Sequence, residues 1–215
     1  MRRARTEQAK EQRRDAILGA AVTLLDRDRY DAVTMAAVAR EAGIAKGTTY
    51  LYFRTKEQLF LALLEEEYSG WFGAARVALR ALPEGASLAR VTDALVATVG
   101  DRPRFLALMQ LLHVVLEQNI SVETALAFKT RLRDEVTGLA LVLSEVTGME
   151  MMRAGKLLMH LHAVVIGLRQ LARPSPSVAE ALSRDDLAVM RVEFDVELKV
   201  VLHDLLRAAT SAVTP

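Results

Sequence analysis

Apolar positions return every three or four residues along nearly the whole chain, the period of helices packed on one face. Ile17, Ala21, Leu24 and Leu25 fall at i, i+4, i+7 and i+8, predicting an amphipathic helix that starts between Thr6 and Gln12 and ends near Asp28. Met35, Val38, Ala39 and Ala42 repeat the pattern over two turns, with Thr34 as N-cap and Gly43 as the residue that ends the helix. After Ile44-Ala45 a second short helix is expected from Lys46 to Phe53. Thr55-Lys56-Glu57-Gln58 then reads as a capping box opening a long helix that reaches Leu82.

Further helices are expected over 87–100, 101–118, 121–146 and 149–171. Arg173-Pro174-Ser175-Pro176-Ser177 is the clearest loop, and Ser183-Arg184-Asp185-Asp186 resembles a cap for a last helix ending near Ala208. No strand pattern and no internal repeat interrupts this series. The expectation is an all-α fold of about nine helices: a three-helix head over residues 1–60 and a helical body over 61–215.

Composition agrees with packed helices. Of 215 residues, 52% are apolar and only 5% aromatic, and five prolines leave long helices unbroken. Cysteine is absent, which removes disulfides and Cys-based metal or redox chemistry. The basic N-terminus is followed by no apolar core of signal-peptide type, and no run approaches 18 uninterrupted apolar residues, so a cytoplasmic protein without a membrane span is expected. The net charge of +1 is unevenly spread: residues 1–60 carry 12 Lys/Arg against 8 Asp/Glu, and the remainder 16 against 19. A basic end on a mildly acidic body suits a polyanion-binding head.

Two short helices joined by a glycine turn over 34–53 have the helix-turn-helix pattern. A two-turn helix cannot stabilise itself, so it must dock on its neighbours and leave one face for a major groove. Lys46, Thr48, Thr49, Tyr50 and Tyr52 donate to phosphates or base edges, no carboxylate stands among them, and Gly47 lets the backbone come close. Lys56 adds a cation on the next helix. A core role for Tyr50, Tyr52 and Phe53 is the competing reading; Phe53 is assigned to the core, and Leu51 is expected to pack as well. Arg2, Arg3, Arg5, Lys10, Arg13 and Arg14 form a basic arm suited to phosphate or minor-groove contacts, or simply to solvation.

The run TMAAVAREAGIAKGTTYLYFRTKEQLF, Thr34 to Phe60, resembles the signature of the tetracycline-repressor (TetR) family, and Ile17, Ala20, Ala21, Leu24 and Leu25 match that family's first helix. The resemblance covers about residues 12–65. It implies that Thr34 caps the first motif helix beside a phosphate, and that Lys46 and Thr48 lie at the groove end of the recognition helix. Tyr50, Tyr52 and Lys56 would then fix the register on phosphates. Two positions depart from the pattern: Thr49 stands where an aliphatic residue is usual, and Ala45 where serine often caps. A hydroxyl buried at 49 would need a partner.

The resemblance also implies dimerisation through the last two long helices and a ligand cavity among the central ones. Leu158, Leu161, Val165 and Leu168 with Leu187, Phe194, Leu198 and Val201 are the expected dimer seam. The helix from Pro103 to Gln118 is apolar almost all round and should be buried. Its Gln110, His113 and Glu117 stripe is either satisfied by neighbouring helices or lines a cavity, walled by Trp71, Phe105, Met109 and Met159. Two-fold symmetry would present two heads to a palindromic DNA operator.

The expected function is that of a homodimeric, ligand-responsive DNA-binding regulator, a repressor released by a mainly hydrophobic small molecule. Control of the same head by a protein partner is the alternative. No nucleophile elbow, phosphate-binding glycine loop, zincin motif or metal-ligand spacing is present, so no enzyme, metal or cofactor is expected.

Overall fold

The computed structural model describes residues 2–100 and 102–211, with side chains from Glu7 onward. The side chains of Arg2, Arg3 and Arg5, and Asp101, expected at the start of a helix, lie outside the described residues. Ten α-helices occur among them and no strand: α1 (Arg2–Arg27), α2 (Met35–Glu41), α3 (Lys46–Tyr52), α4 (Lys56–Arg80), α5 (Leu88–Gly100), α6 (Pro103–Leu111), α7 (Val122–Thr147), α8 (Met151–Leu171), α9 (Pro176–Leu182) and α10 (Phe194–Thr210). Tyr30–Ala32 and Asp185–Met190 form 3-10 turns, and α6 continues into a π-helical turn, Leu112–Leu116.

These elements pack as two units. The first comprises residues 1–67 and 111–128, the second 68–110 and 129–215, so α4 contributes to both.

In the first unit, Ile17, Leu18, Ala20, Ala21 and Leu24 of α1 share a core with Val38, Ala39, Phe53, Leu59, Phe60 and Leu64. From Glu7 to Arg13, α1 buries no side chain. In the second unit, α10 packs on both α5 and α8, burying Leu198, Leu202 and Leu206 with Val91, Leu95, Leu157 and Leu161. At about 25 cal/mol per Å2 of apolar area removed from water, such stripes are the main stabilising contribution. By length and composition α8 could cross a bilayer, but one face supplies this core and the other exposes Lys156 and His160.

Three expectations are corrected. The final helix begins at Phe194 and not at Ser183. Between them lie a 3-10 turn anchored by a bidentate Arg184–Asp186 pair and Arg191, whose guanidinium donates to the carbonyls of Leu182, Ser183 and Arg184. The helix from Pro103 is not buried all round, because the π turn shifts its register and leaves His113 and Val114 exposed. Finally, Leu158, Leu161, Val165, Phe194 and Leu198 are buried within one chain, while Leu168, Leu187 and Val201 are half-buried. A regular apolar stripe is the same signal whether it meets its own chain or another, and this one is largely consumed by α5, α8 and α10.

Candidate nucleic-acid interface

Local chemistry sets the α2–α3 pair. The Thr34 Oγ1 accepts from Ala37 N at 3.2 Å and caps α2. Its hydroxyl proton stays available, and the residue is exposed. Gly43, at φ +67°, ends α2: its N–H donates to the Arg40 carbonyl, and Ile44 N–H to the Ala39 carbonyl. A glycine is needed because that φ lies in the left-handed region. Ala45 carries no side-chain cap, so the departure from serine is real and the first turn of α3 lacks a hydroxyl partner.

α3 is anchored on one side by Thr49, which is fully buried, and by Phe53 just beyond its end. The opposite side presents Lys46, Gly47, Tyr50 (41% exposed) and Leu51 (84% exposed), with Thr48 and Tyr52 half-buried. No acidic residue lies on this helix, and Arg54 is exposed immediately after it. Lys46, Gly47, Thr48, Tyr50 and Tyr52 are thus brought together on or beside one open face, with Thr34 exposed at the start of α2.

Sequence reasoning misses Leu51. The expectation that it packs inside is wrong, because positions 49 and 53 already supply the inward contacts of so short a helix. Its sequence signal is the break in period: 49, 53 and 51 cannot all point inward. The Thr49 Oγ1 finds no hydrogen-bond partner, as does the Tyr30 phenol in the same core.

Thr55 and Gln58 form the expected start of α4, with one shift. The Thr55 hydroxyl accepts from Gln58 N at 3.1 Å, but the Gln58 side chain reaches Arg54 N at 2.8 Å, one residue before the cap. Lys56 is turned toward the chain that precedes α2. Its Nζ donates to the carbonyls of Tyr30 at 2.9 Å and Val33 at 3.0 Å and sits 3.8 Å from the Tyr30 ring centre. Burial lowers its pKa, opposed by the nearby charges of Asp31 and Glu57. Arg14 of the expected basic arm lies over the Phe53 ring and pairs with Glu66, whereas Lys10 and Arg13 are exposed.

The expected effector residues divide. Trp71, Phe105 and Met109 are buried in the second unit, where Trp71 stacks on Phe105 at 5.8 Å and donates Nε1–H to the Thr98 hydroxyl at 3.1 Å. Tyr68, Phe72 and His162 complete this aromatic cluster, and the Tyr68 hydroxyl lies 3.0 Å from His162 Nδ1. Sequence reasoning misses those three, though the i, i+3, i+4 spacing of Tyr68, Trp71 and Phe72 is a legible sign of one shared face.

Gln110 is half-buried in the second unit. His113 and Glu117 belong to the first, where the His113 Nδ1 lies 3.0 Å from Glu117 Oε2. Met159 is exposed on α8 instead of lining a wall. Around it α8 presents Met152, Ala163 and Gly167, and α10 presents Val196 and Val200.

Comparison with known proteins bears on this arrangement. Residues 65–210 match the profile described as the tetracyclin repressor-like C-terminal domain, and residues 17–63 match that of bacterial regulatory proteins of the tetR family. The HTH-type transcriptional regulator QacR of Staphylococcus aureus is 40% identical over 58 residues, covering 27% of this chain and 31% of QacR. The HTH-type transcriptional repressor KstR of Rhodococcus jostii is 42% identical over 60 residues, 28% of each protein. The matched stretch therefore spans under a third of either relative. Among solved structures, the multidrug binding protein EbrR, crystallised with imidazole, superposes with a TM-score of 0.60 at 19% identity, over 90% of this chain and 94% of EbrR. At that identity the likeness speaks for the fold alone.

Proposed function

The chain belongs to the TetR family of bacterial regulatory proteins, and from that premise we propose that it is a homodimeric repressor which a small, mainly hydrophobic effector releases from a palindromic operator. The observation that carries the DNA half is the acid-free outer face of α3, opposite an anchored inner face. In this reading Lys46 and Thr48 address base edges or phosphates at the N-terminal end of α3, and Gly47 allows close approach. Thr34, Tyr50 and Tyr52 donate hydroxyl protons to phosphates. Leu51 supplies an apolar surface of the kind that meets a thymine methyl group.

Dimerisation would use the outward faces of α8 and α10, where Ala163 and Gly167 allow close helix approach between Met152, Met159, Val196 and Val200. Two heads related by a two-fold axis would suit half-sites about 34–36 Å apart. The effector would be held in the second unit beside Trp71, Phe105 and Met109, with Tyr68 and His162 as its polar partners. It would act by binding the DNA-incompetent population more tightly. As Trp71 is the sole tryptophan, saturable quenching of its emission, in step with loss of DNA binding, would identify an effector from a library.

The direct test measures binding to a duplex selected from random DNA at several salt concentrations. Lys46→Gln should weaken binding and reduce the slope of log K against log salt by about 0.9 for each phosphate that the variant no longer neutralises. Tyr50→Ala should weaken binding across sequences. Unchanged affinity in both variants would overturn the assignment.

A second reading, control by a protein partner, is favoured by one observation. Val178, Val189 and Met190 are exposed on α9 and the 3-10 turn after it, which bury no residue. Insensitivity of DNA binding to every small molecule, with release by a protein fraction that Val189→Asp no longer answers, would support it.

A further inference from the structure

We infer that Lys56 is a positioning residue: its ammonium clamps together the two chain segments that bracket the α2–α3 pair and does not serve as a phosphate contact. The inference rests on the DNA-binding reading above and assigns this cation a different task within it.

The geometry is specific. An ammonium has three N–H donors. The carbonyls of Tyr30 and Val33 accept at 2.9 and 3.0 Å, and the Tyr30 ring lies beneath the cation at 3.8 Å. Both carbonyls turn toward one point because Tyr30–Ala32 is a 3-10 turn, closed by Val33 N–H donating to the Tyr30 carbonyl. The ring is itself fixed, buried and edge-on to the fully buried Phe60 at 5.0 Å. The cation therefore fills a socket whose walls are held by the core, unlike a solvated side chain free to follow a phosphate.

Its place in the chain gives the socket a purpose. Val33 directly precedes Thr34, the cap of α2, and Lys56 is the first residue of α4. Everything between them is α2, the glycine turn and α3. One ammonium thus ties the beginning and the end of the DNA-facing segment to each other. Short helices hold their orientation through docking, and α3 gains from this clamp a fixed bearing. Precise placement of donors is what separates operator binding from loose attraction to any polyanion.

The test uses the full chain, the duplex selected by the wild type, and a temperature at which circular dichroism shows each variant folded. Lys56→Met should lower operator affinity about tenfold or more while the slope of log K against log salt stays as in the wild type. Amide hydrogen exchange over residues 35–52 should quicken. Lys56→Arg keeps the charge but offers a planar fork in place of a compact ammonium, so it should also lose affinity at unchanged slope. A fall in slope of about 0.9 with undisturbed exchange in Lys56→Met would make Lys56 a phosphate contact and overturn the inference, as would wild-type affinity and exchange in both variants. Should the wild type fail to select any duplex, the DNA-binding reading falls. The exchange measurement would still decide whether the clamp exists.

Discussion

Among the described residues two threonines, Thr49 and Thr92, are fully buried, and they differ in one respect. The Thr92 hydroxyl donates to the Leu88 carbonyl at 2.8 Å and lies 3.3 Å from His203 Nδ1. The Thr49 hydroxyl has no such partner. A buried hydroxyl without a hydrogen bond costs about 1–3 kcal/mol, and exchanging it for a methyl adds about 0.8 kcal/mol of apolar burial. Thr and Val have similar shapes and nearly equal helix propensities. Thr49→Val should therefore stabilise the protein by about 1–2 kcal/mol, allowing for imperfect repacking.

For a chain of this size that corresponds to roughly 2–4 °C in melting temperature per kcal/mol. Urea unfolding followed by circular dichroism would measure it, with Thr49→Ser as the control that keeps the hydroxyl and loses the methyl. The valine variant should shift the midpoint up and the serine variant down, both without a change in slope. Because Thr49 faces away from the open side of α3, the valine variant should bind DNA within about twofold of the wild type, as expected of a change that leaves the contacting donors in place. A valine variant no more stable than the wild type would refute the reasoning, showing that the hydroxyl is satisfied.

Three further outcomes follow from the same geometry. Tyr30→Phe removes the other orphan hydroxyl of that core while keeping the ring under Lys56, and should raise the urea midpoint by the equivalent of about 1 kcal/mol. Gly43→Ala meets no neighbouring atom but forces a Cβ onto a φ of +67°, so it should destabilise by about 1–2 kcal/mol in the same assay. Ala163→Arg sets a charge in the proposed α8–α10 contact. It should yield monomers in sedimentation equilibrium with an unchanged helical spectrum, and a variant that still dimerises would move the interface elsewhere.

Where a signal is local, the sequence can be read closely. Thr34 and Gly43 bracket α2 because a cap and a left-handed residue act within a few positions. The Ile17 to Leu24 stripe marks the buried side of α1 for the same reason. Legibility fails where an outcome depends on what arrives from a distance. Leu158, Leu161 and Val165 have the spacing of a packed face, and only the three-dimensional arrangement reveals that the chain's own α10 uses much of it. Lys56 looks like any solvent-facing cation until residues 30–33, more than twenty positions earlier, turn two carbonyls toward it.

Ser183 imitates an N-cap yet closes α9, its hydroxyl donating to the Glu180 carbonyl, while Arg191 collects the carbonyls of Leu182, Ser183 and Arg184. Leu51 and Tyr50 sit side by side in an apparently mixed helix, and their exposure follows from the burial of Thr49 and Phe53 around them. On the effector side, Trp71 and Phe105 stack on each other, while the π turn that exposes His113 cannot be read from the helical period.

The proposed function requires a pair of these chains to read duplex DNA through the outer face of α3. Repeated selection from a random duplex pool by the purified full chain tests that most directly. The expected result is enrichment of an inverted repeat with half-site centres about one helical turn, or a whole number of turns, apart, abolished when Lys46→Gln and Tyr50→Ala are combined. Recovery of no shared sequence by the wild type, or of the same repeat by the double variant, would contradict it.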